Sequence, residues 1–542
     1  MMMELIFRIF VQDPMRSKIL LLVITAVLCQ ELSAQCQAWW VFLTDKKGSQ
    51  FDPAAYFDPA AIERRNKIGV SLYDSTDFPV SPFYLDEVSK VVDTVGYASR
   101  WLNAVGVVAS EKQVQELRGY SFVRAVIPQG GFGWQCAQVH SPIDANGNLD
   151  TTRQVAIMQG QAFAQHGVNG RGIRIAILDA GFWGTDSHVA FTELRFNNQI
   201  KKTWNFVHND SIIYDEKTDH GTMVLSCIAG IDNGSPMGLA PKADFMLGII
   251  SKEYGNQYRA EERYIAGIEW ADRFGANIIN ISGGPNENSY FAEDMDGKTP
   301  LISQTCKIAA RKGILVVAAA GNNGSGSERQ LLPPAETDSV LSVTALGLSG
   351  YSAEYSAVGP TPDFRRKPDL CAAGDVFVAA HEKKADAYAE AEGTSFSTPL
   401  VAGFAACLMQ LYPNITAMGA IDTLHVCSHL YPYYDYSHGY GVPQADYFFR
   451  DSISARLPTF TFVKANGTFS IAVTPEADTM SVDAENNLLF WSLTDSQGRI
   501  VKYAVVEMST PFANLITSAE LQSGSKYKLS VWYRNYYAET DL

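Results

Sequence analysis

Short apolar stretches alternate with helical stretches from Gly170 to Leu346, and this alternation constrains the fold more than any other feature of the sequence. The stretches with strand character are 173–178, 243–250, 277–281, 314–320 and 339–346, and those with helical character are 220–228, 259–274 and 301–311. Strands that are apolar throughout are typical of a parallel sheet that helices cover on both faces. The sequence therefore predicts an α/β fold with a doubly wound, mostly parallel sheet.

Polar residues follow several of these strands directly. Asp179, Ser282 and Asn322 each come at or just after the end of a predicted strand. In open parallel sheets the site lies beyond the carboxyl ends of the strands. We therefore expect these three side chains to lie along one rim of the sheet.

The heptapeptide from Gly393 to Pro399 precedes a run of small and apolar residues, 400–408. Glycine adopts backbone angles that other residues avoid, and proline is tolerated near a helix start. A helix N-terminus has free N–H groups and a partial positive charge. The pattern predicts that Ser395 is presented at the start of a buried helix, and an ordinary serine N-cap is the alternative.

A serine hydroxyl becomes a useful nucleophile only when a base takes its proton, a carboxylate orients that base and fixed donors stabilise the oxyanion. The chain has Asp179 at a strand end, His220 at a helix start, Asn322 after a strand and Ser395 at the heptapeptide. Taken singly, these are a turn aspartate, a helix-start histidine, an asparagine in a left-handed turn and a cap. Together and in this order they indicate nucleophilic catalysis.

Four short segments resemble the signature segments of the subtilisin-like serine proteases, over about residues 150–450. They are Asp179 with Gly181, His220-Gly221-Thr222, Ala320-Gly321-Asn322 and Gly393-Thr394-Ser395. The order Asp, His, Ser is also that of the family. The resemblance implies that Ser395 is the nucleophile, His220 the general base and then acid, and Asp179 the residue that orients His220. It also implies an oxyanion hole formed by Asn322 and the Ser395 backbone N–H.

The resemblance extends to the substrate-binding segments. It implies that Ser282, Gly283 and Gly284 form an edge that pairs with an extended substrate as an added strand. It also implies that Ala319, Ala320 and Gly321 line the pocket for the side chain before the scissile bond, with Leu332 and Pro333 narrowing or flooring it. Four positions depart from the family pattern without removing a catalytic atom, namely Met223, Ala180 and the pair Phe396-Ser397.

The N-terminal third has the order of an exported precursor. Residues 1–34 are expected to be a signal peptide, starting at Met1 or at Met15, because a basic start, an apolar run of eleven residues and a small residue at 34 follow one another. Residues 35–137 mix strands and short helices, as a small α+β domain does. The resemblance implies that they are a propeptide that inhibits the enzyme. We expect self-cleavage between Gln129 and Asp150, in a stretch whose composition indicates a linker.

The remaining boundaries follow from composition. Residues 138–452 are predicted to be the catalytic domain, and residues 453–542, which alternate polar and apolar positions between turn pairs, a C-terminal β-sandwich. A net charge of −15 argues against binding to nucleic acid or to an anionic membrane. Beyond the N-terminal segment no stretch is long and apolar enough to span a membrane, so the mature chain is expected to have no transmembrane segment.

No cofactor or metal is assigned from the sequence. The eight cysteines contain no C-x-x-C pair, which leaves zinc ribbons unsupported and disulfide pairing open. The family often binds calcium, and Asp144, Asn146, Asn148 and Asp150 alternate as ligands do. They lack the glycine and final glutamate of an EF-hand loop, so an Asn/Asp turn is the favoured interpretation.

The sequence as a whole predicts a serine endopeptidase that acts on polypeptides and is secreted, periplasmic or held at the cell surface. The main alternative is a catalytically silent scaffold of the same fold that binds a surface. An esterase of the α/β-hydrolase type is disfavoured, since the residues around Ser395 do not form G-x-S-x-G.

Overall fold

The computed structural model describes residues 36–130, 138–143 (backbone), 152–215, 217–251, 259–285, 290–325, 330–380, 384–450, 457–478 and 487–542. The predicted signal peptide, most of the predicted cleavage region and the alternating Asn/Asp residues of 144–150 lie outside these ranges. The chain divides into two compact units, Met1–Phe51 with Asp74–Gln129, and Asp52–Tyr73 with Gly130–Leu542. Residues 52–73, within the predicted propeptide, thus pack with the second unit.

The helices in chain order are α1 (Pro53–Tyr56), α2 (Pro59–Lys67), α3 (Pro82–Ser89), α4 (Glu111–Arg118), α5 (Arg153–Ala156), α6 (Gln161–Gln165), α7 (Thr192–Phe196), α8 (His220–Ala229), α9 (Ala260–Arg273), α10 (Leu301–Arg311), α11 (Thr394–Leu411), α12 (Ala417–Val426) and α13 (Pro475–Asp478).

The strands in chain order are β1 (Gln37–Leu43), β2 (Thr94–Ser99), β3 (Ala104–Ala109), β4 (Val123–Pro128), β5 (Gln138–Ile143), β6 (Arg174–Asp179), β7 (Ile200–Asn205), β8 (Ile231–Asp232), β9 (Ser235–Pro236), β10 (Asp244–Ile249), β11 (Ile278–Ile281), β12 (Leu315–Ala319), β13 (Val340–Leu346), β14 (Leu370–Ala373), β15 (Asp375–Ala379), β16 (Tyr388–Glu392), β17 (Phe460–Ala465), β18 (Thr468–Val473), β19 (Leu488–Asp495), β20 (Ile500–Glu507), β21 (Phe512–Thr517), β22 (Tyr527–Tyr533) and β23 (Tyr536–Asp541).

The first unit is a four-stranded antiparallel sheet in the order β2-β3-β1-β4, packed with α3 and α4. Its core joins Val41 and Val107 of the sheet to Val88 of α3 and Leu117 of α4. The helix α4 begins at Glu111, where Ser110 forms a capping box with Gln113. This unit is the small α+β domain that the sequence predicts at the N-terminus.

The second unit is built on a seven-stranded sheet in the order β14-β13-β12-β11-β6-β10-β7, in which all neighbours are parallel. The five predicted strands are its five inner strands. The sequence analysis missed the two outer strands, β7 and β14. β7 carries two lysines, and the four residues of β14 include no β-branched or aromatic side chain, so neither has the composition typical of a buried strand. The doubly wound α/β fold class is confirmed.

A second, three-stranded antiparallel sheet, β15-β16-β5, lies in the same unit. Its strand β5 falls within the stretch that composition indicates to be a linker, so that interpretation is wrong for residues 138–143. The strand pairs with β16, which leads directly into Gly393 and α11.

The C-terminal residues form two antiparallel sheets, β17-β18-β21 and β20-β19-β22-β23. The two sheets share one core, in which Ile471 and Leu515 of the first pack with Trp491 and Val531 of the second. The C-terminal β-sandwich is therefore confirmed as part of the fold class.

Among the described residues one helix, α11, is long and apolar enough to cross a membrane, and 89% of that stretch is buried inside the fold. A core helix passes the same criterion. Six cysteines lie within the described ranges. Five of them are buried free thiols, namely Cys227, Cys306, Cys371, Cys407 and Cys427, and the exposed Cys36 donates to Asp93 Oδ2 at 2.8 Å.

His429 links the parallel-sheet part of the second unit to the β-sandwich. Its ring lies edge-on to the Trp532 ring, with centroids 5.7 Å apart, and its Nδ1 accepts the Val442 N–H at 2.9 Å. Burial lowers the pKa of His429 from 6.5 to about 4, a backbone hydrogen bond with Val442 opposes this shift, and the charge of His438 adds to it. The native state therefore holds His429 neutral.

We predict that this histidine makes the fold less stable in mild acid. Below pH 6.5 the unfolded chain takes up the His429 proton while the native chain does not, so stability falls between pH 6.5 and about 4. The loss is about 2 kcal/mol at pH 5. His429→Asn keeps an acceptor near the Nδ1 position and should reduce the drop in urea midpoint between pH 7.5 and pH 5. The exposed His166 provides the control, since His166→Asn should leave that drop as it is in the wild type.

Candidate active site

The register of three neighbouring strands brings the predicted site residues to one level. Ile281 of β11 pairs with Leu178 of β6 on one side and with Ala318 of β12 on the other. The next residue on β6 is Asp179, and Ser282 directly follows β11. Both therefore lie at the same rim of the sheet, as the sequence predicts.

Asp179 and His220 are in direct contact. His220 Nδ1 lies 2.7 Å from Asp179 Oδ1, and the two side chains are 2% and 0% exposed. The same carboxylate oxygen accepts the Ala180 N–H at 2.7 Å. A carboxylate on Nδ1 fixes the imidazole tautomer, which leaves Nε2 as the basic nitrogen.

Two backbone hydrogen bonds join the loop after β6 to the start of α8. The Gly221 N–H donates to Gly181 O at 2.8 Å, and the Trp183 N–H donates to Thr218 O at 3.1 Å. A Cβ at Gly181 would lie 2.4 Å from Thr218 O, closer than any side chain tolerates. The glycine therefore allows the two loops to meet, and their contact holds Asp179 against His220.

Ser395 lies in the first turn of α11 and is 1% exposed. Its hydroxyl donates to Ser282 O at 2.6 Å, which links the helix to the end of β11. Gly393 precedes the helix with a φ of 152°, and its N–H donates to the Tyr355 hydroxyl at 3.1 Å. Burial and the nearby Asp375 carboxylate raise the pKa of Tyr355, so this hydroxyl stays protonated. Pro399 lies inside the helix, further from its start than the sequence analysis expects.

Asn322 is oriented by the residue before Ser395. Its Oδ1 accepts both the Thr394 N–H and the Thr394 hydroxyl, each at 2.9 Å. Because both bonds use the carbonyl oxygen, the amide NH₂ of Asn322 is the end that faces away from Thr394. The sequence analysis missed this role of Thr394, because the Gly-Thr-Ser motif alone does not indicate the direction of the threonine hydroxyl.

The predicted substrate edge follows β11. Ser282 is fully buried and its hydroxyl accepts the Asn280 side-chain N–H at 2.8 Å. Gly283 O accepts the hydroxyl of the buried Tyr264 at 2.6 Å. Gly284 lies against the chain at Pro333, since a Cβ on it would be 2.7 Å from Pro333 O. These contacts fix the backbone of the edge.

The predicted pocket residues follow β12. Ala320 is fully buried and Ala319 only partly, and Ala320 O accepts the Leu332 N–H at 2.9 Å. The Leu332 side chain covers Gly321, because a Cβ there would lie 2.9 Å from Leu332 Cγ. Leu332 therefore occupies the space beside Gly321.

The rim thus combines Ser395 at a helix start, the His220 imidazole hydrogen-bonded to a carboxylate, and the Asn322 amide, whose carbonyl oxygen accepts hydrogen bonds from Thr394. Such a set can activate a hydroxyl and stabilise an oxyanion. Within the described ranges no group of three or more His, Cys, Asp or Glu side chains could hold a metal ion.

The chain matches two family profiles. Residues 170–440, half of the chain, match the subtilase family, peptidase S8. Residues 38–133 match the peptidase S8 propeptide domain of Bacteroidota.

Individual relatives agree with the profiles. Subtilisin DY of Bacillus licheniformis is 30% identical over 267 residues, which are 48% of this chain and 86% of that protein. Subtilisin NAT of Bacillus subtilis subsp. natto is 28% identical over 343 residues, 62% of this chain and 79% of that protein. Fervidolysin from Fervidobacterium pennivorans, a keratinolytic enzyme related to subtilisin, has a TM-score of 0.55 at 20% identity, covering 92% of this chain and 71% of that structure. At that identity the likeness concerns the fold.

We predict that Gly181→Ala destabilises the fold. The new methyl group would press on Thr218 O, a backbone atom that cannot move without breaking its bond to Trp183. Overpacking of this kind costs about 1–3 kcal/mol, which a thermal unfolding scan detects as a lower midpoint. Gly347→Ala is the matched control, because a Cβ there meets its nearest neighbour at 3.7 Å. Equal midpoints for the two variants would contradict the tight loop contact.

Proposed function

Because the chain belongs to the subtilase family and is a serine endopeptidase with a propeptide, we propose that it cleaves extended polypeptides through an acyl-enzyme formed on Ser395. We further propose that it is exported and cuts off its own propeptide. The observation that carries the proposal is the 2.7 Å bond between His220 and the buried Asp179, at the same rim as the start of α11.

In the first step His220 Nε2 takes the Ser395 proton while Ser395 Oγ attacks the scissile carbonyl carbon. Without substrate the hydroxyl donates to Ser282 O, so it turns toward the imidazole when substrate binds. Asp179 keeps Nδ1 protonated and stabilises the imidazolium that forms. His220 then gives its proton to the leaving amine, and the peptide bond breaks.

In the second step water attacks the acyl-enzyme. His220 takes a proton from that water, the ester bond to Ser395 breaks, and the proton returns to Ser395 Oγ. In both steps a negative charge develops on the former carbonyl oxygen. The Asn322 NH₂ and the Ser395 backbone N–H are the donors for this charge, and the bonds from Thr394 to Asn322 Oδ1 hold the amide in the required orientation.

The substrate lies as an added strand against residues 282–284. The bonds from Tyr264 and to Ser282 make this edge rigid before substrate arrives, which lowers the ordering cost of binding. The side chain before the scissile bond enters the space lined by Ala319, Ala320 and Gly321, and Leu332 limits its depth.

Export rests on the sequence features of residues 1–34, and maturation on the propeptide match at 38–133. In this scheme the propeptide inhibits the enzyme until it is removed, and cleavage falls between Gln129 and Asp150. Both regions lie largely outside the described residues. Calcium remains unassigned.

We predict that a fluorophosphonate probe labels the wild-type chain and not Ser395→Ala. Intact mass should show loss of the N-terminal segment in the wild type alone, because Ser395→Ala removes the nucleophile that self-cleavage needs. Identical processing of purified Ser395→Ala would contradict the proposal that the enzyme removes its own propeptide. A wild-type chain that is shortened past residue 130 and still unlabelled would favour the silent scaffold.

We predict that Asn322→Ala lowers kcat by about 10²–10³ with little change in KM, because it removes a donor used in the transition state. This is the size of effect found when such a donor is removed from a subtilisin. Steady-state kinetics on a peptide substrate measure it. Ser325→Ala, at an exposed position three residues further on, should keep wild-type constants.

A further inference from the structure

The stretch Asp52–Tyr73 belongs to the propeptide match by sequence but packs with the second unit. It leaves the first unit after β1 and returns to it before α3. It consists chiefly of the two short helices α1 and α2, each opened by an aspartate cap and a proline. Because this stretch belongs to the propeptide by sequence but packs within the second unit, its contacts there form a binding surface for the propeptide.

Two arginines of α2 hold one carboxylate of α9. Arg64 Nη2 donates to Asp272 Oδ1, and Arg65 Nη2 donates to Asp272 Oδ2 at 2.6 Å. All three side chains are between 0% and 4% exposed. Arg64 Nη1 also donates to Ala276 O at 2.5 Å. Substitution of one partner would leave the remaining charge buried without compensation, so the contact is sensitive to a change at any of the three residues.

Backbone contacts surround this ion pair. The Asp58 N–H donates to Arg273 O at 3.0 Å, and Arg273 Nε donates to Tyr56 O at 3.1 Å. Ile68 lies directly over Gly313, where a Cβ would be 1.8 Å from Ile68 Cδ1. The contact therefore combines a buried ion pair, backbone hydrogen bonds and the close approach of Ile68 to Gly313.

The contact lies where the parallel strands begin, which we call the amino edge of the sheet, and the candidate active site lies at the opposite ends of the same strands. Asp272 and Ala276 precede β11, and Gly313 precedes β12, so they mark the amino ends of these strands. Ser282 and Asn322 follow the carboxyl ends of the same strands. A molecule bound at the amino edge does not touch the catalytic rim.

We propose that residues 52–73 are an anchor that holds the propeptide on the catalytic domain at the amino edge of the sheet, independently of the active site. The proposal rests on the proposed self-cleavage, because it concerns what happens afterwards. Cleavage cuts the covalent link near Gln129–Asp150 but leaves the Arg64–Asp272–Arg65 contact in place. A propeptide that is held both by the anchor and by its inhibitory contact at the active site rebinds quickly when either contact opens, because the other contact keeps its effective local concentration high. The cut propeptide thus stays bound and inhibitory until the anchor opens.

The first test follows the full chain of R64Q/R65Q after self-cleavage. Both substitutions lie in the part that is removed, so wild type and variant yield the same mature enzyme and must reach the same final activity. The anchor predicts that the cut propeptide of R64Q/R65Q separates from the enzyme in gel filtration at least tenfold faster, and that the lag before full activity shortens equally. The control is K67Q on the same helix, whose pair with Glu63 is exposed. Unchanged co-elution and lag in R64Q/R65Q would overturn the anchor.

The second test uses the uncleaved Ser395→Ala chain, so it does not depend on maturation. Hydrogen exchange of the amides in 59–67 should become at least tenfold faster when R64Q/R65Q, or D272N from the other side of the contact, is added. Exchange in 104–109 should stay as it is. Equal exchange of 59–67 with and without these substitutions would overturn the anchor. Absence of processing in the wild type would instead overturn the proposed function and leave this result standing.

Discussion

The parallel pairing of β6, β11 and β12 is the constraint on which the rest of the second unit depends. Parallel strands share one direction, so their carboxyl ends meet at one edge, and the register of Ile281 with Leu178 and Ala318 brings these ends to one level. A shift of one residue in any of the three would turn its last side chain to the other face. The loops that follow the three strands therefore begin at the same level of the sheet.

Short-range contacts then complete the site. Backbone bonds at Gly181 and Gly221 hold the aspartate loop to α8, the Ser395 hydroxyl reaches the end of β11, and Thr394 reaches Asn322 after β12. Each contact joins α8 or α11 to the loop after a different strand. The arrangement depends on few atoms that can move, which is the condition for an electrostatically prepared site.

The sequence alone predicts the inner five strands, the three helices between them and the identity of the rim residues, since each has a local signal. Periodicity marks the strands, and polar residues at strand ends mark the rim. The outer strands β7 and β14 have no such signal, because β7 contains two lysines and β14 contains no β-branched or aromatic residue. The local composition around β5 indicates a linker, because its partner β16 lies about 250 residues further along the chain and only the tertiary fold brings the two strands together. The same holds for Asp52–Tyr73, whose arginines show no partner until Asp272 is brought near by the fold.

The helix α11 carries Ser395 at its first turn and then runs as a buried core helix against β11, β12, β13 and β14. Most of its residues have no contact with solvent. Few positions in it are therefore open to change without a cost to folding, and natural variation that retunes the enzyme must accumulate elsewhere. The loops that follow β11 and β12 have backbone ends fixed by the sheet, and beside buried residues such as Ser282 and Leu332 they include exposed positions such as Ser325. New substrate preferences can evolve in these loops while α11 stays the same. The architecture therefore places the catalytic serine and substrate recognition on different parts of the chain.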